Sequence, residues 1–283
     1  MSRDANGRRR FDALLVDLDG TLLDGRGELH PENHRRIREA HEAGVRVMVA
    51  TGRSTVATRP ILDRLGLDST AVVFNGAGVF CPSRCAMLEE RVLSERTLRR
   101  LLAFGEQHDE LTLVMGAERK VSLEPRDEHE RTALLGLEGL EFVSRAKLAL
   151  DRALRVSFLS IRHAESRELA RAVTESIRQP VYVTHFPLRV LPQHRASRLH
   201  VVDVHAPCRG KAEALRVLEE RYAIPPGRVV AVGDASNDVP MLRGAGLGVA
   251  MQDAMPEALA AADRVIGSHE TPAIADLIAE LFL

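Results

Sequence analysis

Apolar residues fall in short blocks along this chain, and the blocks alternate between strand and helix lengths. The largely apolar run from Phe11 to Val16 is too short for a typical helix and predicts a buried strand. A helix is expected from Glu32 to about Ala43, punctuated by Pro31 and Gly44. Val45 to Ala50 is almost uninterruptedly apolar, as in a strand buried on both faces. Ser54 is placed to cap a helix that runs to Leu65 and stops at Gly66, and Ala71 to Phe74 predicts a third strand. This βαβαβ rhythm argues for a parallel sheet covered by helices.

The last third resumes the rhythm. Strands are expected at Leu199–Val204, Arg228–Val232 and Leu247–Ala250, and helices at Gly210–Tyr222, Asp238–Arg243, 256–262 and 272–282. The middle differs. Its strands, Leu111–Met115 and Arg155–Ile161, alternate more, and its helices, 94–108 and 164–178, are strongly charged. That texture predicts an inserted α/β domain with one wet sheet face. The chain thus divides into a core of residues 11–81 and 192–283, an insert of 82–191 and a solvated tail of 1–10. Cys81-Pro82-Ser83 and Pro187 to Pro192 are the expected linkers.

Candidate chemistry sits where ligands sit in open parallel sheets, just beyond the carboxyl ends of the strands. The first strand leads into Asp17-Leu18-Asp19-Gly20-Thr21-Leu22, where Gly20 permits a sharp turn. The turn can bring both carboxylates to one site, to bind a divalent cation or to share nucleophile and acid/base roles. The second strand ends at Thr51-Gly52-Arg53. The strand after the insert leads toward Lys211, and the strand at 228–232 ends at Gly233-Asp234, with Asn237 and Asp238 close behind. Taken singly, each has an ordinary explanation: Asp or Thr as a helix cap, lysine on a solvated helix face. Together they suit phosphoryl transfer. Carboxylates hold Mg²⁺ or attack phosphorus, while a hydroxyl and an ammonium neutralise the transferring oxygens.

Composition narrows the alternatives. The net charge of -1 gives no basic field for nucleic acid, and the absence of tryptophan weakens any base-stacking platform. No apolar run is long enough to span a membrane and the N-terminus has no apolar signal core, so a cytoplasmic protein is expected. The three cysteines make no disulfide framework: Cys81 and Cys85 read as reduced thiols in a linker, and Cys208 precedes a helix. His194, His200 and His205 show no ligand spacing. Gly244-Ala245-Gly246-Leu247-Gly248 misses the dinucleotide fingerprint and reads as a turn before a strand. Only three lysines occur, Lys120, Lys147 and Lys211, against many arginines, so each lysine invites inspection.

The chain resembles the haloacid dehalogenase-like hydrolases, in particular their Cof-type sugar-phosphatase branch. The resemblance is carried by Asp17-Leu18-Asp19-Gly20-Thr21-Leu22, Ala50-Thr51-Gly52-Arg53-Ser54, Asn75-Gly76-Ala77, Gly210-Lys211, Gly233-Asp234-Ala235-Ser236-Asn237-Asp238 and Gly246 to Met251. It covers roughly residues 11–80 and 195–283. It implies a Rossmann-like parallel-sheet core with helices on both faces and an inserted α/β cap that closes over the site. Asp17 would be nucleophile and Mg²⁺ ligand, and Asp19 the general acid/base, with its backbone carbonyl also on the metal. Thr51 would hold the phosphoryl group, Lys211 would neutralise charge, and Asp234 would complete the metal site. Asn237 and Asp238 would orient the phosphoryl group, Lys211 and metal-bound waters. Leu18 and Gly52, through their N–H groups, and Arg53, Asn75 and Gly76 would line the phosphate and substrate side. Two segments depart from the family pattern, Gln252-Asp253-Ala254 and Glu270-Thr271-Pro272, both away from the chemistry.

The implied function is Mg²⁺-dependent hydrolysis of a small phosphorylated metabolite, a sugar phosphate first among them, through an aspartyl-phosphate. A phosphomutase and a glycosyl-phosphoglycerate phosphatase stand as alternatives within the superfamily. A non-catalytic binding or regulatory protein is the alternative of another class, and the intact set of Asp17, Asp19, Lys211 and Asp234 argues against it. The expected partner is the metabolite alone, without nucleic acid or membrane, on a monomer or homodimer.

Overall fold

The computed structural model describes residues 9–191 and 194–283. Expectations for residues 1–8 and for Pro192 lie outside the described residues. The chain forms two compact units. The first comprises the described residues up to Glu89 together with Arg209–Leu283, and the second is Glu90–Cys208.

The first unit begins with β1 (Ala13–Val16), all four residues of which are buried. A strand with helices on both sides needs an unbroken apolar run, and this is one. The chain continues through α1 (Pro31–Glu42), β2 (Arg46–Val49), α2 (Thr55–Leu65) and β3 (Ala71–Val73). α1 starts on Pro31, while His30 Nδ1 accepts the Glu32 N–H at 3.2 Å. α2 ends on Gly66 in the left-handed region, φ 66°. Ser54 precedes α2 but its side chain makes no capping hydrogen bond; its carbonyl instead accepts both the N–H and the hydroxyl of Thr58. β3 joins β4 (Gly78–Cys81) and β5 (Ala86–Glu90) in a small three-stranded sheet. The segment expected as the first linker is therefore a turn inside this sheet, with the Cys85 N–H on the Pro82 carbonyl at 3.0 Å. Proline and serine mark a tight turn as readily as a domain boundary.

The second unit contributes α3 (Glu95–Gln107), β6 (Leu111–Met115), β7 (Lys120–Ser122), α4 (Glu128–Leu134), β8 (Leu140–Phe142), β9 (Arg155–Ser160), α5 (Ser166–Ile177), β10 (Tyr182–Pro187) and β11 (His200–His205). Its sheet has the order β10-β11-β9-β6-β7-β8, with the β7–β8 pair parallel and its other pairs antiparallel. Leu101 and Phe104 of α3 and Leu169 and Val173 of α5 share a core with Val114, Val156, Phe158, Val202 and Val204. The alternate residues Leu113, Ser157 and Asp203 stand in register across the other face. That face is not the wet one expected: Leu113, Ser157 and Asp203 are all buried, with the Ser157 hydroxyl on Asp203 Oδ1 at 2.5 Å.

Two boundaries differ from expectation. The second unit runs 90–208 rather than 82–191, because the strand expected at Leu199–Val204 is not in the parallel sheet. As β11 it lies between β10 and β9, antiparallel to both. Its valines suit either sheet, and the choice of partner is a long-range matter that local pattern does not encode.

The chain returns through a 3₁₀ turn at Gly210–Ala212 into α6 (Glu213–Tyr222), β12 (Val229–Gly233), a second turn at Ser236–Asp238, α7 (Val239–Gly244), β13 (Leu247–Met251), α8 (Pro256–Leu259), β14 (Arg264–Ile266) and α9 (Ala273–Leu281). The resulting sheet is parallel throughout, in the order β14-β13-β12-β1-β2, and β3 extends it by a single bridge, Ala50 to Val72. From β1 the chain steps outward one way to β2, and from β12 it steps the other way to β13 and β14. Right-handed crossovers in opposite directions put their helices on opposite faces. They also make the gap between β1 and β12 a topological switch point, where a crevice opens at the carboxyl ends. Val16 lies in register with both Val49 and Val232, so the residues that follow each strand emerge together.

Candidate active site

Asp17 follows β1 directly, and its N–H donates to the Val232 carbonyl at 3.1 Å, which ties it to the neighbouring strand. Lys211 reaches it from the turn before α6, not from a strand end as expected, because the preceding strand belongs to the second unit. Its Nζ lies 2.7 Å from Asp17 Oδ1 and 2.6 Å from Asp238 Oδ1. All three residues are at most 4% exposed. The other oxygen of Asp238 accepts the N–H groups of Asp234 at 3.0 Å and Ala235 at 2.9 Å. Asp234 Oδ1 accepts the Thr21 hydroxyl at 3.0 Å. Spacing along the chain does not assign Thr21 this contact; a hydroxyl among acids is the one signal of it in the sequence. Two glycines make the cluster possible. A β-carbon on Gly20, where φ is +75°, would stand 2.5 Å from Asp234 Oδ2, and one on Gly233 would stand 2.5 Å from the Asp238 carboxyl carbon.

A second group forms beside β2. The Thr51 N–H donates to Val72, and the Thr51 carbonyl accepts the Asn75 N–H at 3.0 Å. The Arg53 N–H donates to the Thr51 hydroxyl at 3.1 Å, and the Arg53 carbonyl accepts the Phe74 N–H at 2.9 Å. Phe74, Asn75 and Gly76 all have positive φ, at 51°, 51° and 94°. Left-handed backbone at two non-glycine residues is held only where the surroundings determine it. Here it brings Asn75 Oδ1 to the Asn237 amide, which donates at 3.0 Å; a β-carbon on Gly76 would stand 2.2 Å from the Gly210 carbonyl oxygen, and one on Gly52 would press on the Asn75 amide at 3.0 Å. Leu18 buries its side chain, and its carbonyl accepts N–H groups from Leu22 and Leu23. The Asp19 carboxylate is held by Arg53, with Nε on Oδ2 at 2.8 Å and Nη2 on Oδ1 at 2.5 Å.

The electrostatics follow from crowding acids out of water. Burial pushes the Asp17 carboxyl well up, and Asp238, Asp234 and Asp19 push it further, against Lys211. Burial, then Asp238, raises Asp234 to about 7. Burial alone would favour a neutral Lys211 amine, but Asp17 and Asp238 outweigh it and keep the ammonium charged. Three carboxylates thus face one ammonium, and oxygens of Asp17, Asp234 and Asp238 lie within 4.8 Å of one another. An all-oxygen, charge-deficient set fits a hard divalent cation. Asp238 gives one oxygen to Lys211 and the other to two backbone N–H groups, which leaves Asp17 and Asp234 better placed as donors.

The sequence matches the haloacid dehalogenase-like hydrolase family over residues 14–278, so the chain belongs to that family, in its Cof-type branch. It is a phosphoric monoester hydrolase. Pyridoxal phosphate phosphatase YbhA of Escherichia coli is 28% identical, over 94% of this chain and 96% of its own. The 5-amino-6-(5-phospho-D-ribitylamino)uracil phosphatase YcsE of Bacillus subtilis is 25% identical, over 94% and 93%. The fold matches that of the phosphatase BT1666 from Bacteroides thetaiotaomicron, with TM-score 0.81 at 19% identity over 99% of this chain and 97% of that one. It also matches a subclass IIB sugar phosphatase, BT4131, with TM-score 0.79 at 20% identity over 95% and 98%. Among the described residues no helix is long and apolar enough to cross a membrane.

Proposed function

We propose that this chain is a Mg²⁺-dependent phosphatase that hydrolyses a small phosphorylated metabolite, a phosphate monoester of a primary alcohol such as a sugar phosphate, through an aspartyl-phosphate. The observation that carries the proposal is Lys211, buried with its ammonium between Asp17 and Asp238 at the switch point. Asp17 attacks phosphorus and the ester P–O bond breaks, while Asp19 gives a proton to the leaving oxygen. Water then attacks the aspartyl-phosphate, Asp19 takes back a proton, and orthophosphate leaves with Asp17 restored. Thr51 and the Gly52 N–H hold the transferring oxygens, and Lys211 offsets their charge. Mg²⁺, held by Asp17, Asp234 and the Asp19 carbonyl, would supply further charge neutralisation.

Asn75, Gly76 and Asn237 complete the substrate side, and the second unit serves as the cap that selects the leaving group. The relatives' names support the substrate class, since pyridoxal phosphate and the phosphoribitylamino compound are both phosphate monoesters of primary alcohols. Phosphate release is measured on a panel of sugar phosphates, pyridoxal phosphate, glycerate phosphates and nucleotides, with Mg²⁺ or with chelator. Metal-dependent release from primary-alkyl esters is expected; no release from any member would overturn the proposal.

A further inference from the structure

We propose that Arg53 is the positioning residue of Asp19, fixing its carboxylate in the orientation from which it serves the leaving oxygen. This rests on Asp19 being the acid/base group. The other carboxylates of the cluster are held by buried partners, Asp17 and Asp238 by Lys211 and Asp234 by Thr21. Asp19 is different: its side chain is 45% exposed, and among the described residues its carboxylate is hydrogen-bonded by Arg53 alone. An exposed aspartate held by nothing samples several rotamers, and a proton donor must be in place when the bond breaks.

The geometry suits such a brace. Two parallel N–H···O bonds fix the plane of the carboxylate as well as its distance, which a guanidinium can do and an ammonium cannot. Arg53 is itself anchored. Its N–H is on the Thr51 hydroxyl and its carbonyl receives the Phe74 N–H, so the loop after β2 sets where the guanidinium stands. The loop expected to bind phosphate therefore also orients the acid.

The test compares kcat/KM for glucose 6-phosphate, whose alkoxide leaving group needs a proton, and p-nitrophenyl phosphate, whose leaving group needs little. Loss of a general acid costs on the order of 100-fold or more on the alkyl ester, and Arg53→Ala is expected to reproduce that bias along with Asp19→Asn. In the Asp19→Asn background, adding Arg53→Ala is expected to change kcat/KM by less than about threefold, since both changes remove one function. Arg53→Lys, which keeps charge but not the fork, is expected to fall with Arg53→Ala. A crystal structure of Arg53→Ala gives a readout independent of turnover, with the Asp19 side chain leaving its present rotamer.

Equal losses on both esters, a raised KM at unchanged kcat, losses that multiply in the double variant, or an unmoved Asp19 would overturn the proposal and leave Arg53 an independent anion ligand. A wild-type protein inert to both esters, with Asp19 unmoved in the variant, would overturn the phosphatase assignment and the proposal together.

Discussion

Gly20 and Asp234 meet so closely that position 20 can carry no side chain: a β-carbon there would stand 2.5 Å from the Asp234 carboxylate. The two residues lie on loops after β1 and β12, far apart in sequence. Close approach of backbone to carboxylate is what lets the acids share one site.

Gly20→Ala should therefore act on both fold and site. The positive φ alone costs about 1 kcal/mol, or about 2–4 °C in melting temperature. The displaced Asp234 should lower metal-dependent phosphate release by about tenfold or more, as for a misplaced catalytic group. Melting curves and initial rates over a Mg²⁺ titration check this, and an unchanged Mg²⁺ requirement would contradict it.

Lys211→Met removes the ammonium from a buried cluster of acids. Breaking a buried pair on one side typically costs about 3–5 kcal/mol because the remaining charges lose their partner. The denaturant midpoint should fall accordingly and phosphate release should cease. A variant as stable as the wild type would show that Asp17 and Asp238 do not depend on Lys211.

Metal binding should be visible without any substrate. Mg²⁺ added to the metal-free protein should raise its melting temperature, because a ligand that binds only the folded state stabilises it by mass action. Asp234→Asn should shrink that rise. Equal rises in both proteins would place the cation elsewhere.

His205, buried in the second unit with Nδ1 3.2 Å from the Leu154 carbonyl, gives a pH signature. Burial first, and Arg155 as well, lower its pKa to about 4, against the opposing pull of Asp203 and the Leu154 carbonyl. A folded pKa below the unfolded value means that the unfolded chain takes up the proton first as pH falls. The stability is therefore present above about pH 6.5 and is lost through the window from about 6.5 to about 4. By that linkage the wild type should lose about 2 kcal/mol between pH 7.5 and pH 5 that His205→Gln does not lose. Parallel pH dependence in both proteins would contradict it.

Much of this was legible in the sequence, and the exceptions share a cause. β1 and β12 were readable because a strand buried on both faces is a continuous apolar run. Asp17, Thr51, Lys211 and Asp234 stand in motifs whose order survives the long insert. The assignment of β11 to the parallel sheet failed because its valines say that it is buried but not beside which strand. Cys81-Pro82-Ser83 reads as a linker from sequence, although it enters a turn inside a sheet, because turn chemistry is the same in both settings. Ser54 has the composition of a cap but not its hydrogen bond. The Arg53–Asp19 pair and the contact of Thr21 with Asp234 are side-chain geometry, which one-dimensional spacing does not carry.

The most direct test of the central claim is phosphate release by wild-type protein and Asp17→Asn, with folding of both confirmed by their melting curves. The Asp17 carboxylate as nucleophile predicts metal-dependent release by the wild type and none by the equally folded variant. Substantial release by folded Asp17→Asn would contradict an aspartyl-phosphate at this site.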